Sequence, residues 1–278
     1  MAKIDLRECL NAISDVVVNR PPPMREFDQI YMKIADMLMQ TEYASNLFEA
    51  KRTVFIGDGD AIALCLVHLH QKGLLEKGPE YVLVLDFDER VVNSVRSFSA
   101  RYGIAERVNA ELYNVADPVP ESLWQSFDAF YTNPPYGGSN GGTSVQAFLQ
   151  RAIEVTGPDA LGCLVIADSG NYPWCAEVLK NTQAFLVRNG FVITELQPNF
   201  HHYHLEDAPD LTSCNIAVKK QGYSKSPYES KPLDGVALMD FYGKESPLRV
   251  RYVRDLRGGG KYPSRDYKFE PLDSEIRK

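Results

Sequence analysis

The sequence predicts an α/β fold: a mostly parallel seven-stranded sheet with helices on both faces. Short apolar runs alternate with helical segments over residues 51–220, and the chain of 278 residues, 44% of them hydrophobic, can bury a large core. Alternation of this kind requires right-handed crossovers, which place successive strands in parallel. Ligand binding is therefore expected at the carboxyl ends of the strands.

A helical cap is predicted over residues 1–50, before the sheet. Apolar side chains recur at helical spacing in residues 6–17, and the three prolines at 21–23 must end that helix. A second amphipathic helix is predicted to begin at Phe27. The strands of the catalytic domain (51–220) are expected at 53–58, 81–86, 108–115, 127–133, 161–168, 191–197 and 212–220.

A C-terminal extension is predicted over residues 221–278. The runs 236–243 and 248–253 could pair as a β-hairpin, and the last 20 residues are polar and expected to be loose. Residues 220–278 carry 13 Lys/Arg against 9 Asp/Glu, whereas the rest carries 17 against 28. Residues 1–219 are therefore acidic and should attract cationic ligands. The basic extension makes nucleic acid a candidate partner.

Composition also narrows the class of protein. No apolar run approaches the roughly 18 residues of a membrane span, and the first residues form no apolar signal region. The five cysteines are scattered and include no C-x-x-C pair, which is typical of reduced thiols. We therefore expect a cytoplasmic protein without membrane contact or a metal site. A homo-oligomer is also expected.

Two acidic strand ends indicate the donor. Gly57 and Gly59 allow a tight turn and close ligand approach after the first strand. Asp86 ends the second strand, where an acid would bind a pair of ribose hydroxyls. Asp58 and Asp60 would repel a pyrophosphate. The sequence therefore predicts a positively charged nucleoside without phosphate, such as an S-adenosyl sulfonium compound.

The turn after the fourth strand indicates how an acceptor nitrogen is held. Its sequence, Asn133-Pro134-Pro135-Tyr136, resembles the N-P-P-Y motif of class I amino-methyltransferases. The Asn133 oxygen and a prolyl-restrained carbonyl can accept the hydrogens of an amino group, and the Tyr136 ring offers a face to a planar or cationic acceptor. Asn133, Pro134 and Tyr136 are therefore candidate catalytic residues that act mainly by orientation.

The order of the motifs resembles the catalytic domain of the branched-chain polyamine synthases, over about residues 45–220. The matching stretches are Gly57-Asp58-Gly59-Asp60, Asp86-Phe87-Asp88-Glu89-Arg90, Tyr113 to Pro120, Asn133-Pro134-Pro135, Gly190 to Thr194, and Asn199-Phe200. The resemblance implies a class I methyltransferase-like (Rossmann-like) fold, an S-adenosyl donor that is decarboxylated for aminopropyl transfer, and a linear polyamine acceptor. It implies donor contacts by Gly57, Asp58, Gly59, Asp60, Asp86, Phe87 and Asn114.

Three positions depart from the family pattern, because Gly59, Asn114 and Asn133 stand where the family has acids. A polyamine nitrogen is mostly protonated at neutral pH, and carboxylates normally hold the cation and accept its proton. An exocyclic aryl amine or an amide needs no such base. The departures therefore leave both the transferred group and the acceptor open.

A histidine-rich segment follows the sixth strand. His201, His202 and His204 lie within four residues. An imidazole suits a general base or an acceptor contact because its pKa lies near working pH, whereas consecutive residues rarely converge on one metal ion. His201 and His202, together with Asp60, are therefore candidates for proton removal.

Three functions follow from these features. The leading prediction is an aminopropyltransferase of polyamine biosynthesis that uses decarboxylated S-adenosylmethionine. The alternative is an S-adenosylmethionine-dependent N-methyltransferase that acts on an exocyclic or amide nitrogen of nucleic acid or protein. A donor-binding sensor without turnover is the third. The predicted partners are a small-molecule donor and, for both enzymes, an amine acceptor.

Overall fold

A single seven-stranded sheet organises the computed structural model, which describes residues 5–203, 205–222, 226–258 and 265–272. The helices are α1 (Leu6–Asn19), α2 (Ile34–Leu47), α3 (Ile62–Gln71), α4 (Glu89–Tyr102), α5 (Thr143–Val155) and α6 (Pro173–Arg188). The strands are β1 (Arg52–Ile56), β2 (Tyr81–Asp86), β3 (Val108–Leu112), β4 (Phe127–Thr132), β5 (Thr156–Ala167), β6 (Phe191–His202), β7 (Thr212–Lys220), β8 (Val250–Asp255) and β9 (Tyr267–Pro271).

The strand order of the large sheet is β3-β2-β1-β4-β5-β7-β6. All its strands are parallel except β7, which runs antiparallel to both β5 and β6. This arrangement confirms the predicted class I methyltransferase-like fold. The order reverses between β1 and β4, so their connections leave on opposite faces and open a crevice at the carboxyl ends.

Successive side chains along the strands point to opposite faces of the sheet and contribute to two apolar cores, one on each face. Phe55 of β1 packs into a core with the apolar faces of α1 to α4, whereas Val54 and Ile56 point into a core with α5 and α6. Leu238 and Phe241 of the C-terminal extension belong to the second core. The N-terminal helices and part of the extension are therefore packed against the sheet.

The second predicted helix begins later than the sequence pattern indicates. Residues 25–27 form one turn of 3-10 helix, and Asp28 follows in a left-handed conformation with φ of 55°. Met32 pairs as an isolated bridge with Tyr203, and α2 begins only at Ile34. The prediction of a helix from Phe27 was wrong, because this segment crosses the carboxyl edge of the sheet.

The C-terminal extension contains a two-stranded sheet, but its strands are not paired as predicted. Strand β8 pairs with β9, whereas residues 236–243 form turns. Part of the tail that was expected to be loose is thus a strand. Val253 of β8 donates its N–H to the Phe87 carbonyl oxygen at 3.1 Å, which fixes the extension to the end of β2. Within the described ranges, no helix is long and apolar enough to cross a membrane.

Candidate active site

A cavity opens at the carboxyl ends of β1, β2 and β4. Its wall combines the turns after these strands with residues 27–31 of the N-terminal cap and Tyr242 of the extension. The structure brings together in this wall most of the predicted site residues, namely Gly57, Asp58, Gly59, Asp60, Asp86, Phe87, Asn114, Asn133, Pro134 and Tyr136.

The turn after β1 is fixed by the side chain of Asp58. Gly57 has φ of 73°, and a Cβ there would lie 3.1 Å from the Phe148 ring, so glycine suits both the conformation and the space. The Asp58 carboxylate accepts the backbone N–H groups of Ile62 and Ala63, both at 2.9 Å. These bonds satisfy donors that the first turn of α3 cannot pair internally.

Asp86 joins the turns after β1 and β2. One carboxylate oxygen accepts the N–H of Asp58 at 3.1 Å, and the other accepts the N–H of Asp88 at 2.9 Å. Burial and the neighbouring Asp88 charge raise the pKa of Asp86 to about 7. Because a carboxylate oxygen can accept more than one hydrogen bond, both oxygens can also accept from ligand hydroxyls.

Asn133 is oriented by Asp60. The Asn133 amide donates through Nδ2 to Asp60 Oδ2 at 2.9 Å, and the N–H of Met32 donates to Asp60 Oδ1 at 2.7 Å. Arg20 adds a guanidinium whose Nη1 lies 3.7 Å from Asp60 Oδ1. The Asp60 carboxylate is thus engaged by protein donors, and no described residue donates to the Asn133 Oδ1 atom, which can accept from a ligand.

The charge of the cavity wall is entirely negative among the residues that the structure describes. Four carboxyl groups line it, those of Asp28, Asp58, Asp60 and Asp86, and no described lysine, arginine or histidine does. Burial raises the pKa of all four groups, to about 6 for Asp28. A cationic ligand would offset the cost of keeping these carboxylates ionised, so the cavity favours positive charge.

Comparison with known proteins identifies the family. The family model for the branched-chain polyamine synthase A C-terminal domain matches residues 8–254. The chain belongs to this family. The N(4)-bis(aminopropyl)spermidine synthase of Thermus thermophilus is 30% identical over 189 residues, which cover 66% of this chain and 50% of that protein. The one of Methanocaldococcus jannaschii is 23% identical over 91% of this chain and 65% of its own length.

Solved structures support the same fold. A branched-chain polyamine synthase C9 mutein from Thermus thermophilus, in complex with N4-aminopropylspermidine and 5'-methylthioadenosine, matches 85% of this chain and 70% of its own with a TM-score of 0.70 at 23% identity. A putative RNA methyltransferase from Pyrococcus horikoshii matches 78% of this chain and all of its own with a TM-score of 0.55 at 15% identity. The matched segments span between 37% and 65% of the curated relatives' length.

Gly59, one departure from the polyamine synthase pattern, has a steric reason. A Cβ on Gly59 would lie 2.9 Å from the Tyr31 ring. That ring is held by its hydroxyl, which donates to the Pro21 carbonyl oxygen at 3.1 Å, and by the Arg20 guanidinium 4.2 Å from the ring centroid. Tyr31 therefore occupies the space that an acidic side chain at position 59 would need.

Asn114, a second departure from the polyamine synthase pattern, connects the cavity wall to the extension. Its Nδ2 donates to the carbonyl oxygens of Val250 and Arg251 at 3.1 and 2.6 Å, and its Oδ1 accepts the N–H of Ala116 at 2.8 Å. A carboxylate could not donate to these two carbonyl oxygens. The side chain thus has a structural role, and its contact with the donor remains a prediction.

The histidine segment does not line the cavity. The His201 ring is fully buried between Ser213 Oγ and Gln40 Oε1, each 2.9 Å from a ring nitrogen, and burial lowers its pKa to about 3. His202 is exposed, with Nδ1 3.9 Å from an Asp36 carboxylate oxygen. His204 lies outside the described residues. The structure therefore brings neither described histidine to the acceptor side.

Sequence reasoning missed several residues of the cavity wall, among them Asp28, Tyr31 and Tyr242. Asp28 and Tyr31 were placed on the second helix, and Tyr242 was placed on a strand of the extension. The prolines at 21–23 were a usable signal, because a chain that leaves them need not resume a helix at once. No sequence signal relates Tyr242 to a wall whose other residues all lie at or before Phe148.

Three arginines of the extension are paired with acids. Arg251 lies 3.1 Å from Asp117, and Arg254 lies 2.6 Å from Glu270, measured between side-chain nitrogen and oxygen atoms. Arg257 similarly lies 3.2 Å from Asp266. Lys261 is outside the described residues. These pairs stabilise the extension and weaken the case for a phosphate-binding surface.

Proposed function

We propose that this chain transfers an aminopropyl group from decarboxylated S-adenosylmethionine to an amine nitrogen of a polyamine. The negatively charged wall of the cavity carries this proposal. Ordinary S-adenosylmethionine has a carboxylate, for which the described wall offers four acidic side chains and no cationic one. The decarboxylated donor removes that repulsion and keeps the sulfonium and amino charges, which the wall attracts.

Donor orientation is assigned to the turns after β1 and β2. Asp86 would accept the two ribose hydroxyls while it holds the N–H groups of Asp58 and Asp88. The donor supplies an electrophilic methylene carbon next to a sulfonium sulfur, a good leaving group. The acidic side chains then stabilise the cation until transfer neutralises the sulfur.

Acceptor orientation is assigned to the turn after β4. Asn133 Oδ1, fixed because Nδ2 donates to Asp60, would accept one hydrogen of the attacking nitrogen. The Tyr136 ring lines the same wall, and its hydroxyl lies 2.6 Å from the Tyr203 hydroxyl, which holds the ring in place. Such fixed acceptors place the lone pair in line with the carbon–sulfur bond.

Donor preference tests this proposal. We expect the protein to bind decarboxylated S-adenosylmethionine at least about tenfold more tightly than S-adenosylmethionine, a difference of about 1.4 kcal/mol. Calorimetric titration of each donor at equal ionic strength measures this ratio. 5'-Methylthioadenosine, which lacks both the sulfonium charge and the amino acid tail, is the control for nucleoside binding. Tighter binding of S-adenosylmethionine would contradict the proposal.

N-methylation is the second candidate function. It is supported by the free Oδ1 atom of Asn133 in the N-P-P-Y turn, which can orient a neutral amide or aryl amine. A preference for S-adenosylmethionine in the same titration would support this candidate.

A further inference from the structure

A second cavity adjoins the proposed donor site. The two cavities share Asp28, Ile30, Tyr136 and Tyr242. Beyond these shared residues, the second cavity is lined by glycines, by apolar side chains that include Trp174, Leu205 and Leu211, and by Arg25 and Ser139. A long amine could therefore place its reacting nitrogen at the junction of the cavities and its methylene chain along the second.

The four carboxyl groups of the first cavity differ in the hydrogen bonds that they accept from the protein. Asp58 accepts from two N–H groups of α3, and Asp86 from the N–H groups of two neighbouring turns. Asp60 accepts from Met32 and Asn133 and lies beside Arg20. These three carboxyl groups are engaged in holding the turns.

Asp28 differs from the other three. Among the described residues, no side chain forms a hydrogen bond or an ion pair with its carboxylate, and burial raises its pKa more than the Arg25 charge and the Tyr136 N–H lower it. The nearby Arg25 guanidinium is instead 3.3 Å from Asp207. Asp28 is thus the wall carboxylate with the most capacity to accept a proton or hydrogen bond from a ligand.

The backbone fixes the position of Asp28. Its φ of 55° and ψ of 25° are left-handed, and its N–H donates to the Arg25 carbonyl oxygen at 3.0 Å. Aspartate and asparagine adopt this conformation more readily than most residues. Asp28 and Tyr136 both line the two cavities, which places Asp28 beside the turn that holds Asn133.

We propose that Asp28 is the catalytic residue that holds the acceptor ammonium and accepts its proton before transfer. This inference rests on the proposed function, because a protonated amine has no lone pair with which to attack. Asn133 cannot accept a proton at neutral pH, and Asp60 is engaged by protein donors. The half-buried Asp28 carboxyl, whose pKa burial raises to about 6, is a stronger base than an ordinary aspartate.

The step balances in atoms and charge. The ammonium gives a proton to the Asp28 carboxylate and becomes a neutral amine. Its lone pair forms a bond to the donor methylene carbon while the carbon–sulfur bond breaks and the sulfur keeps the electron pair. The products are a neutral thioether, 5'-methylthioadenosine, and an alkylated ammonium, and the proton on Asp28 passes to solvent.

The substitution Asp28→Asn tests the assignment. Asparagine keeps the shape and tolerates the left-handed backbone but cannot take the proton. We expect kcat for aminopropyl transfer at pH 7 to fall by at least about 100-fold, the usual scale for loss of a general base. Affinity for 5'-methylthioadenosine, which has no charge for Asp28 to attract, should stay within about twofold by calorimetry, which also verifies that the variant folds. The matched control is Glu206→Gln, which removes one negative charge at an exposed position nearby in the fold.

The outcomes separate this inference from the proposed function. Normal transfer by wild type and by Glu206→Gln, with a large loss in Asp28→Asn, supports the role of Asp28. If Asp28→Asn keeps kcat within about threefold, the inference is wrong and the proposed function stands. If wild type forms no aminopropyl product with any polyamine, both fail.

Discussion

Replacing Asp86 by alanine should weaken donor binding by at least about 100-fold. Its carboxylate is expected to accept two ribose hydroxyls, and hydrogen bonds to charged groups contribute about 1.5–3 kcal/mol each, so two exceed the 2.8 kcal/mol that a 100-fold loss represents. The substitution also removes the acceptor of the Asp58 and Asp88 N–H groups, which loosens both turns. Calorimetry at pH 8, above the pKa of about 7, measures the effect with the wild-type carboxyl mostly ionised.

A neutral ligand distinguishes a ribose contact from a general charge effect. 5'-Methylthioadenosine has the ribose but no sulfonium, so its affinity should fall by a similar factor in Asp86→Ala. The control is Glu111→Ala, an exposed acid on the neighbouring strand β3, which should change both affinities by less than about twofold. Unchanged affinity of Asp86→Ala for 5'-methylthioadenosine would refute the ribose role.

The substitution Arg151→Met should lower the free energy of unfolding by about 3–5 kcal/mol, the usual cost of breaking a buried ion pair. Arg151 is 1% exposed and donates to both Glu154 carboxylate oxygens, at 3.1 and 2.8 Å. It also donates to the carbonyl oxygens of Val115 and Lys231, both at 2.8 Å. Its loss leaves the buried Glu154 carboxyl without its ion-pair partner and removes the hydrogen bond between α5 and the Lys231 carbonyl oxygen of the extension.

Urea denaturation of matched variants measures this effect. Glu270→Ala breaks the partly exposed pair with Arg254 and should cost no more than about 1 kcal/mol. Combining Arg151→Met with Glu154→Leu should recover part of the loss, because no unpaired charge then remains buried. If Arg151→Met costs no more than Glu270→Ala, then Arg151 does not join the extension to the fold.

The sheet could be predicted because its signals are local. Each buried strand is a short apolar run that ends in turn residues, and the crossover rule then orders the strands in parallel. The segment before α2 was mispredicted because apolar side chains at 27, 30 and 31 fit a helical spacing, while Phe27 packs against Phe87 and Tyr31 against Gly59. The strand pairing of the extension was mispredicted because it depends on contacts with β9 and the end of β2.

The candidate site likewise contains residues that the sequence predicts and residues that it does not. Asp58, Asp60, Asp86 and Asn133 were predicted because the ends of parallel strands meet at one edge. Asp28 and Tyr242 were not predicted, because they belong to the N-terminal cap and the C-terminal extension, outside the strand ends of the sheet. The histidines show a different error: along a strand, consecutive side chains point to opposite faces, so His201 is buried and His202 is exposed. Their closeness in sequence did not indicate a shared site.

The product of a single-turnover reaction tests the central claim most directly. Wild-type protein would be mixed with decarboxylated S-adenosylmethionine and a set of linear diamines and polyamines, and the acceptors analysed by mass spectrometry. We predict that at least one acceptor gains the mass of one aminopropyl unit, with release of an equal amount of 5'-methylthioadenosine. Absence of that product from every acceptor, together with methyl transfer from S-adenosylmethionine to an amide or aryl amine, would contradict the account.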